Sequence, residues 1–274
     1  MKLKKLYKHD NKRQIWRILP TTENRVVLEE RDPVSKEVFF CCFDIESGRK
    51  IFNQWQLDEK NWCGIESIYK DIIYFHLYGK PDMPDHKSII AFDIKTQNII
   101  WSNDYFRFSS VYDDKIYCFR QGFESSTYYS LDYLSGDIID DLGTDVSTIK
   151  LIKEKADEEF WKQNYIFPSY FNRNDDTLED YEKYFRDLIS SRVIKGEISF
   201  IEFNELLLYS FHEVNKNNLL SNIFYAYDRL RNKIVLEETL DKNLTNLIPE
   251  SFFVKDNFLF LIIDKTKLFI YKII

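Results

Sequence analysis

Glycine and proline are scarce, at seven and six residues in a chain of 274. Chain reversals therefore fall to Asn, Asp, Ser and Lys, the first three of which close turns through their own side-chain hydrogen bonds. The four cysteines, Cys41, Cys42, Cys63 and Cys118, lack the spacing of a disulfide framework. That predicts free thiols and a cytoplasmic location. No run reaches the roughly 18 apolar residues that cross a membrane. The nearest, 257–274, is interrupted by Asp264, Lys265, Lys267 and Lys272. The charged first ten residues lead into no apolar segment, so no secretory signal is expected.

A surplus of basic charge is missing as well. The net charge is −7 with both signs interspersed, which argues against a nucleic-acid partner, whose phosphates select clustered Lys and Arg. The local exception, Lys2, Lys4, Lys5, Lys8, Lys12 and Arg13, reads as a solvated first strand. The serine-nucleophile elbow, the P-loop, the dinucleotide fingerprint and His-Glu-x-x-His are all absent. No catalytic residue, cofactor or metal is expected from motifs alone.

Aromatic residues are abundant, at 17% of the chain. Flat rings suit the pleated, half-buried surface of a sheet. A repeated unit is also present. Residues 38–52, 88–101, 127–139 and 222–236 each read as strand, tight turn, strand, with Asp44, Asp93, Asp132 and Asp228 opening the turn. An aspartate there closes an Asx-turn. Gly48, Gly136 and Asn232 then suit the left-handed position of a three-residue hairpin, where the second copy has Gln97-Asn98. The aspartates lie 49, 39 and 96 residues apart, the last gap being about two periods. Two further strand-like runs precede each hairpin, giving four strands in roughly 40–50 residues, the size of a propeller blade.

The expected fold is thus an all-β propeller of about five blades, with six as the alternative, built from four-stranded antiparallel sheets in a single domain over 1–274. The last three strands, within 251–274, lack a fourth, and 2–7 has no unit of its own; the N-terminal strand is expected to complete the last blade and close the ring. Residues 145–192 break the pattern. Runs at 153–162 and 177–189 look helical, the second with Leu178, Tyr181, Phe185, Leu188 and Ile189 on one face and a capped start at Thr177. The segment is a helical insertion or a degenerate blade.

The units resemble the repeats of quinoprotein-type propellers, an apolar strand followed by Asp, Thr or Ser, Gly, and a strand ending in Trp. Residues 91–96 with Ile99, Ile100 and Trp101 carry the likeness best. Over nearly the whole length the chain also resembles a bacterial family known only as a domain of unknown function, through 16–19, 28–32, 62–65 and 86–93. That family implies no activity. Quinoprotein dehydrogenases use a vicinal disulfide, but Cys41-Cys42 lies mid-strand, where side chains alternate, and reads as two small buried hydrophobes.

Three places carry candidate chemistry. His76 and His86 flank Asp82 and Asp85, donors that suit first-row ions, although the spacing matches no standard zinc pattern and the segment reads first as a solvated hairpin loop. Glu29, Glu30, Arg31 and Asp32 end a strand, where two acids could face an axial funnel or form an Arg–carboxylate network. Trp55 and Trp62, with Asp58 and Glu59 between, are core or a binding patch. The leading functional expectation is a non-enzymatic scaffold for a protein or peptide partner. The alternatives are a small-molecule- or metal-binding enzyme or sensor using Glu30, Arg31, His76 and His86, and carbohydrate recognition through Trp55 or Trp62.

Overall fold

The computed structural model describes residues 1–80, 83–171, 179–249 and 251–274. In chain order the elements are β1 (Leu3–Asp10), β2 (Gln14–Pro20), β3 (Arg25–Arg31), β4 (Val38–Asp44), β5 (Lys50–Trp55), β6 (Cys63–Tyr69), β7 (Ile72–Lys80), β8 (Met83–Asp93), β9 (Asn98–Asn103), β10 (Arg107–Tyr112), β11 (Lys115–Gln121), β12 (Ser126–Asp132), β13 (Ile138–Gly143) and helix α1 (Val146–Trp161). There follow β14 (Tyr165–Ile166), β15 (Ser169–Phe171), helix α2 (Glu179–Ser191), β16 (Ile194–Phe203), β17 (Leu206–Val214), β18 (Leu220–Asp228), β19 (Lys233–Leu244), β20 (Phe252–Lys255), β21 (Phe258–Ile263) and β22 (Lys267–Ile273). The chain divides into two compact units: a continuous one, Arg13–Gln163, and a discontinuous one, Met1–Lys12 with Asn164–Ile274.

Among the described residues five open antiparallel sheets form, three of them with four strands. The continuous unit holds β2–β5, β6–β9 and β10–β13, each a simple meander, together with α1. The expected hairpin turns are all present. The carboxylates of Asp44, Asp93, Asp132 and Asp228 accept backbone N–H bonds from Ser47, Lys95, Ser135 and Arg231, at 2.8–3.0 Å. The left-handed position falls at Gly48, Gln97, Gly136 and Asn232. β7 runs on to Lys80, so His76 lies in the strand expected over 71–78, while β8 starts at Met83 and makes His86 a strand residue in place of the solvated loop expected there.

The discontinuous unit holds β15–β19 in order, and a sheet ordered β1-β22-β21-β20-β14. The N-terminal strand does complete the last sheet, pairing antiparallel with β22 from Leu3↔Ile273 to Asp10↔Lys267. Within 145–192 the described residues form no four-stranded unit. They form two helices and two short strands, each added to a sheet edge: β14 on β20 and β15 on β16. Helix α1 starts well before the expected 153, because the Asp145 carboxylate caps it, accepting from the backbone N–H of Ser147 at 3.0 Å and of Thr148 at 3.3 Å. In α2, Phe185 and Leu188 are buried and Tyr181 packs on Phe200. Leu178 and the Thr177 cap lie outside the described residues. No described helix is long and apolar enough to cross a membrane.

Strand β7 shows how the continuous unit is held together. Its run Ile72-Ile-Tyr-Phe is buried on both faces. Ile73 and Phe75 join a core with Val27, Phe40, Phe52 and Cys42, while Ile72 and Tyr74 join a second with Ile116, Cys118 and Leu131. Period-two alternation feeds two cores from one strand. Sheet β6–β9 is therefore packed on both sides. Trp101 of β9 extends the second packing, since it lies against the β12–β13 turn and donates Nε1–H to the Tyr133 carbonyl at 3.4 Å. The four cysteines are buried and none is in a disulfide.

Gly136 is bound to that contact twice over. Its φ is +74°, and a Cβ there would sit 2.6 Å from the Trp101 ring. Gly136→Ala is therefore expected to lose about 1–3 kcal/mol of stability in urea titrations.

Candidate metal centre

β6 is an edge strand, so its outward N–H and C=O groups need partners from outside its own sheet. Sheet β2–β5 supplies them with charged side chains. The Glu29 carboxylate is buried and accepts the Ile65 N–H at 3.1 Å. Arg17 donates to the Ile65 carbonyl. Arg31 pairs with Glu29 at 2.9 Å, approaches the Cys63 carbonyl at 3.5 Å, and lies over the Trp16 ring. Of the acidic pair expected to act here, Glu29 takes this place. Glu30 is buried elsewhere, beside Cys41 and 3.8 Å from Arg13. Both lie near the end of β3, as expected; the strand stops at Arg31, just before the turn that Asp32 closes.

The β6 edge is also bulged. Its register with β7 runs Ile65↔Phe75 and then Ser67↔Tyr74, which leaves Glu66 as the extra residue. A bulge re-aims one side chain out of the alternating pattern. Glu66 is thereby turned onto His76 and His86. Its Oε1 lies 2.7 Å from His86 Nδ1 and 3.2 Å from His76 Nδ1. On β8 a second irregularity, with Ser88 at φ +62°, shifts the pairing from Phe75↔Ile90 to Leu77↔Lys87. His86 then falls opposite Tyr78, and the two imidazoles stack 3.6 Å apart at 7°. The Tyr78 ring stands edge-on to both.

The three donor atoms all lie within 4.8 Å of one another. The His76 ring is 1% exposed, Glu66 14% and His86 33%. Both ring nitrogens of His76 are buried without a hydrogen-bond partner, the Glu66 contact lying off the hydrogen-bonding line. A buried polar atom left unsatisfied costs about 1–3 kcal/mol. Burial pushes the Glu66 carboxyl up, but the two imidazoles facing it, His76 and His86, outweigh that and hold the carboxyl below its ordinary range.

Room for the buried ring comes from a missing side chain. Gly64 is the cross-strand partner of His76. A Cβ on Gly64 would stand 2.9 Å from His76 Cε1 and 3.4 Å from the Glu29 carboxylate.

The structure thus gathers His76 and His86, with Arg31 on the neighbouring strand edge and Trp62 beside Tyr78. Trp62 is 41% exposed. Trp55 is not at this site. It stacks on Phe75 and contacts Phe92 in the core. Nor is Asp85 a member, since it pairs with Arg107 at 2.8 Å. Asp82 lies outside the described residues. The sequence reading missed Glu66, which stands ten residues before His76 and is brought in only by the bulge. Two surface clefts, of ≈ 290 and ≈ 410 Å³, lie at the β6–β7 turn around Lys70 and include none of the three donors.

A family model described as a domain of unknown function, DUF4905, matches residues 19–101. That span covers β3 to β8 and includes all three donors, but it is shorter than the full-length likeness expected. No curated protein matches. Among solved structures, an uncharacterised protein from Listeria monocytogenes EGD-e is 14% identical, over 91% of this chain and 74% of that one, with a TM-score of 0.34. The Dos1 propeller is 13% identical, over 94% and 71%, at 0.29. An alpha-L-arabinofuranosidase from Lactobacillus brevis is 11% identical, over 96% and 85%, at 0.28.

Gly64→Ala is expected to push the His76 ring from its place and lower stability by about 1–3 kcal/mol. Chemical denaturation of the metal-free protein measures it. An unchanged midpoint would mean that the ring has free space to move into.

Proposed function

We propose that the chain binds a divalent first-row transition metal through Glu66, His76 and His86. The observation that carries this reading is His76: a fully buried imidazole with neither nitrogen hydrogen-bonded, facing a carboxylate and a second imidazole. Two imidazoles and a carboxylate suit such ions. The stacked rings place their in-plane lone pairs side by side, so one ring turns to share an ion. His86, on the more open side, is the ring with room to do so. Three protein donors leave further coordination positions to solvent. An ion held in this way is exchangeable and acts as a Lewis acid or a sensor, in contrast to a closed structural site.

The sheets are, on this proposal, blades of a quinoprotein-like propeller closed by the N-terminal strand, a reading supported by the repeated Asp-turn hairpin and by the β1–β22 pairing. Four thiols outside any disulfide support a reducing, cytoplasmic setting. A second reading, a scaffold for a protein or peptide partner, is favoured by α1, which exposes Val146, Leu151 and Trp161.

Titration of the full chain with Co²⁺ or Zn²⁺ tests the metal reading. One ion per chain is expected, with a d–d spectrum for Co²⁺. His76→Leu removes two unsatisfied nitrogens, so it is expected to leave metal-free stability unchanged or raised while weakening binding at least tenfold. Equal binding by wild type and His76→Leu, or no binding by either, overturns the reading.

A further inference from the structure

The discontinuous unit contains a second polar site that is independent of the first. Across β17, β18 and β19 the register sets His212 opposite Asn222, and Asn222 opposite Asp241. Directly opposed residues of antiparallel strands share a face, with Cβ atoms about 5 Å apart. The row is buried: Asn222 is 0% exposed, Asp241 6% and His212 8%. Ser251, just ahead of β20, joins it from the adjacent sheet, its hydroxyl accepting from Asn222 Nδ2 at 2.7 Å.

One member of the row is satisfied. His212 Nε2 accepts the Ile248 N–H at 3.1 Å, and burial lowers its pKa, so the ring is neutral. Two groups are not. Asn222 Oδ1 is buried with no hydrogen-bond partner. The Asp241 carboxyl meets only burial, the like charge of Asp264 and the opposing charge of Lys265. It makes neither a hydrogen bond nor an ion pair among the described residues. A carboxylate in that position is stabilised by a proton or by a cation beside it.

The available donors decide which cation. They are a carboxylate, an amide carbonyl and a hydroxyl, all oxygen, with the neighbouring Asp264 adding negative field. Asp264 is itself engaged by Lys267. Oxygen sets of this kind take hard ions such as Ca²⁺, which tolerate irregular geometry, whereas imidazole and thiolate select softer ones.

We propose that Asn222, Asp241 and Ser251 form a binding site for a hard divalent cation of the calcium type. The cation satisfies Asn222 Oδ1 and matches the Asp241 charge in one step. Protons compete for the site. Burial raises the Asp241 carboxyl to about 6, so the cation binds above that pH and is displaced below it. The other charged or titratable groups facing the row are His212, already neutral, and Asp264 and Lys265; Lys195 stands opposite His212 on β16.

Calorimetric melting of the full chain tests this, with calcium or with chelator, at pH 7.5 and pH 4.5. Calcium at millimolar concentration is expected to raise the melting temperature by about 2–6 °C at pH 7.5, and to have no effect at pH 4.5. The same shift is expected in the His76→Leu background. Asp241→Asn keeps the shape and removes the charge. Because the folded-state pKa of Asp241 is raised, the wild type loses stability as pH climbs from about 4 to about 6. Without calcium, the variant should therefore melt higher than wild type at pH 7.5, near wild type at pH 4.5, and show no calcium shift. That gain keeps misfolding from being mistaken for lost binding. If the variant gains stability while calcium leaves the wild type unmoved, the row holds a proton instead and the proposal falls. It falls equally if calcium shifts both proteins alike.

Discussion

Every antiparallel meander leaves an edge whose N–H and C=O groups face away from its own sheet, and the way β6 solves this determines what the continuous unit can do. Its edge is satisfied by ionised side chains: Glu29 on the Ile65 N–H, Arg17 on the Ile65 carbonyl, and Arg31 near the Cys63 carbonyl. Charge-assisted bonds are stronger than neutral ones, but burying Glu29 is tolerable only because Arg31 and a backbone donor both reach it. The arrangement ties two sheets together without a continuous ladder between them. It also frees β6 to carry a bulge, since its edge register is not fixed by a further strand. Glu66 is the residue released by that freedom.

The packing of β7 supplies the rigidity that such a site requires. Ile73 and Phe75 are locked in one core, and Ile72 and Tyr74 in another. The next residue along the strand is His76, so its ring inherits a backbone held from both faces. Metal donors are most effective when their rotamers are fixed by surroundings of this kind. His86 is held less tightly, with a third of its side chain open to solvent. One immobile imidazole and one adjustable imidazole on adjacent strands, spanned by a carboxylate, can accept an ion by moving a single ring.

What could be read from the sequence follows from how local the determining interactions are. The four Asp-turn hairpins were legible because each turn is closed by its own residues, so Asp132 and Gly136 announce a turn whatever surrounds them. The β1–β22 pairing was legible by counting strands. The two histidines were legible as chemistry, but the third donor was not. Glu66 depends on a one-residue slip between β6 and β7, and no local pattern distinguishes it from the neighbouring Ser67. Asp85 looked the better candidate by sequence distance, yet Arg107 takes it. Trp55 illustrates the same limit. Its neighbours in sequence are polar, while its neighbours in space, Phe40, Phe75 and Phe92, arrive from other strands. The early start of α1 was missed because the β-branched residues at 146–149 obscure the cap that Asp145 provides.

The two units meet the problem of buried polarity in different ways, and the difference bears on function. Where the purpose is cohesion, the polar atoms are fully partnered: Glu29 has Arg31 and Ile65, and the Tyr133 carbonyl accepts from both Tyr74 and Trp101. Elsewhere partners are lacking, as at His76 and Asn222. His76 leaves two nitrogens open beside Glu66 and His86, and Asn222 leaves its carbonyl oxygen open beside Asp241. The open nitrogens of His76 face Glu66, and Asn222 stands opposite Asp241 in strand register. On the proposed readings, an ion at each place would offset the cost of leaving those atoms without partners.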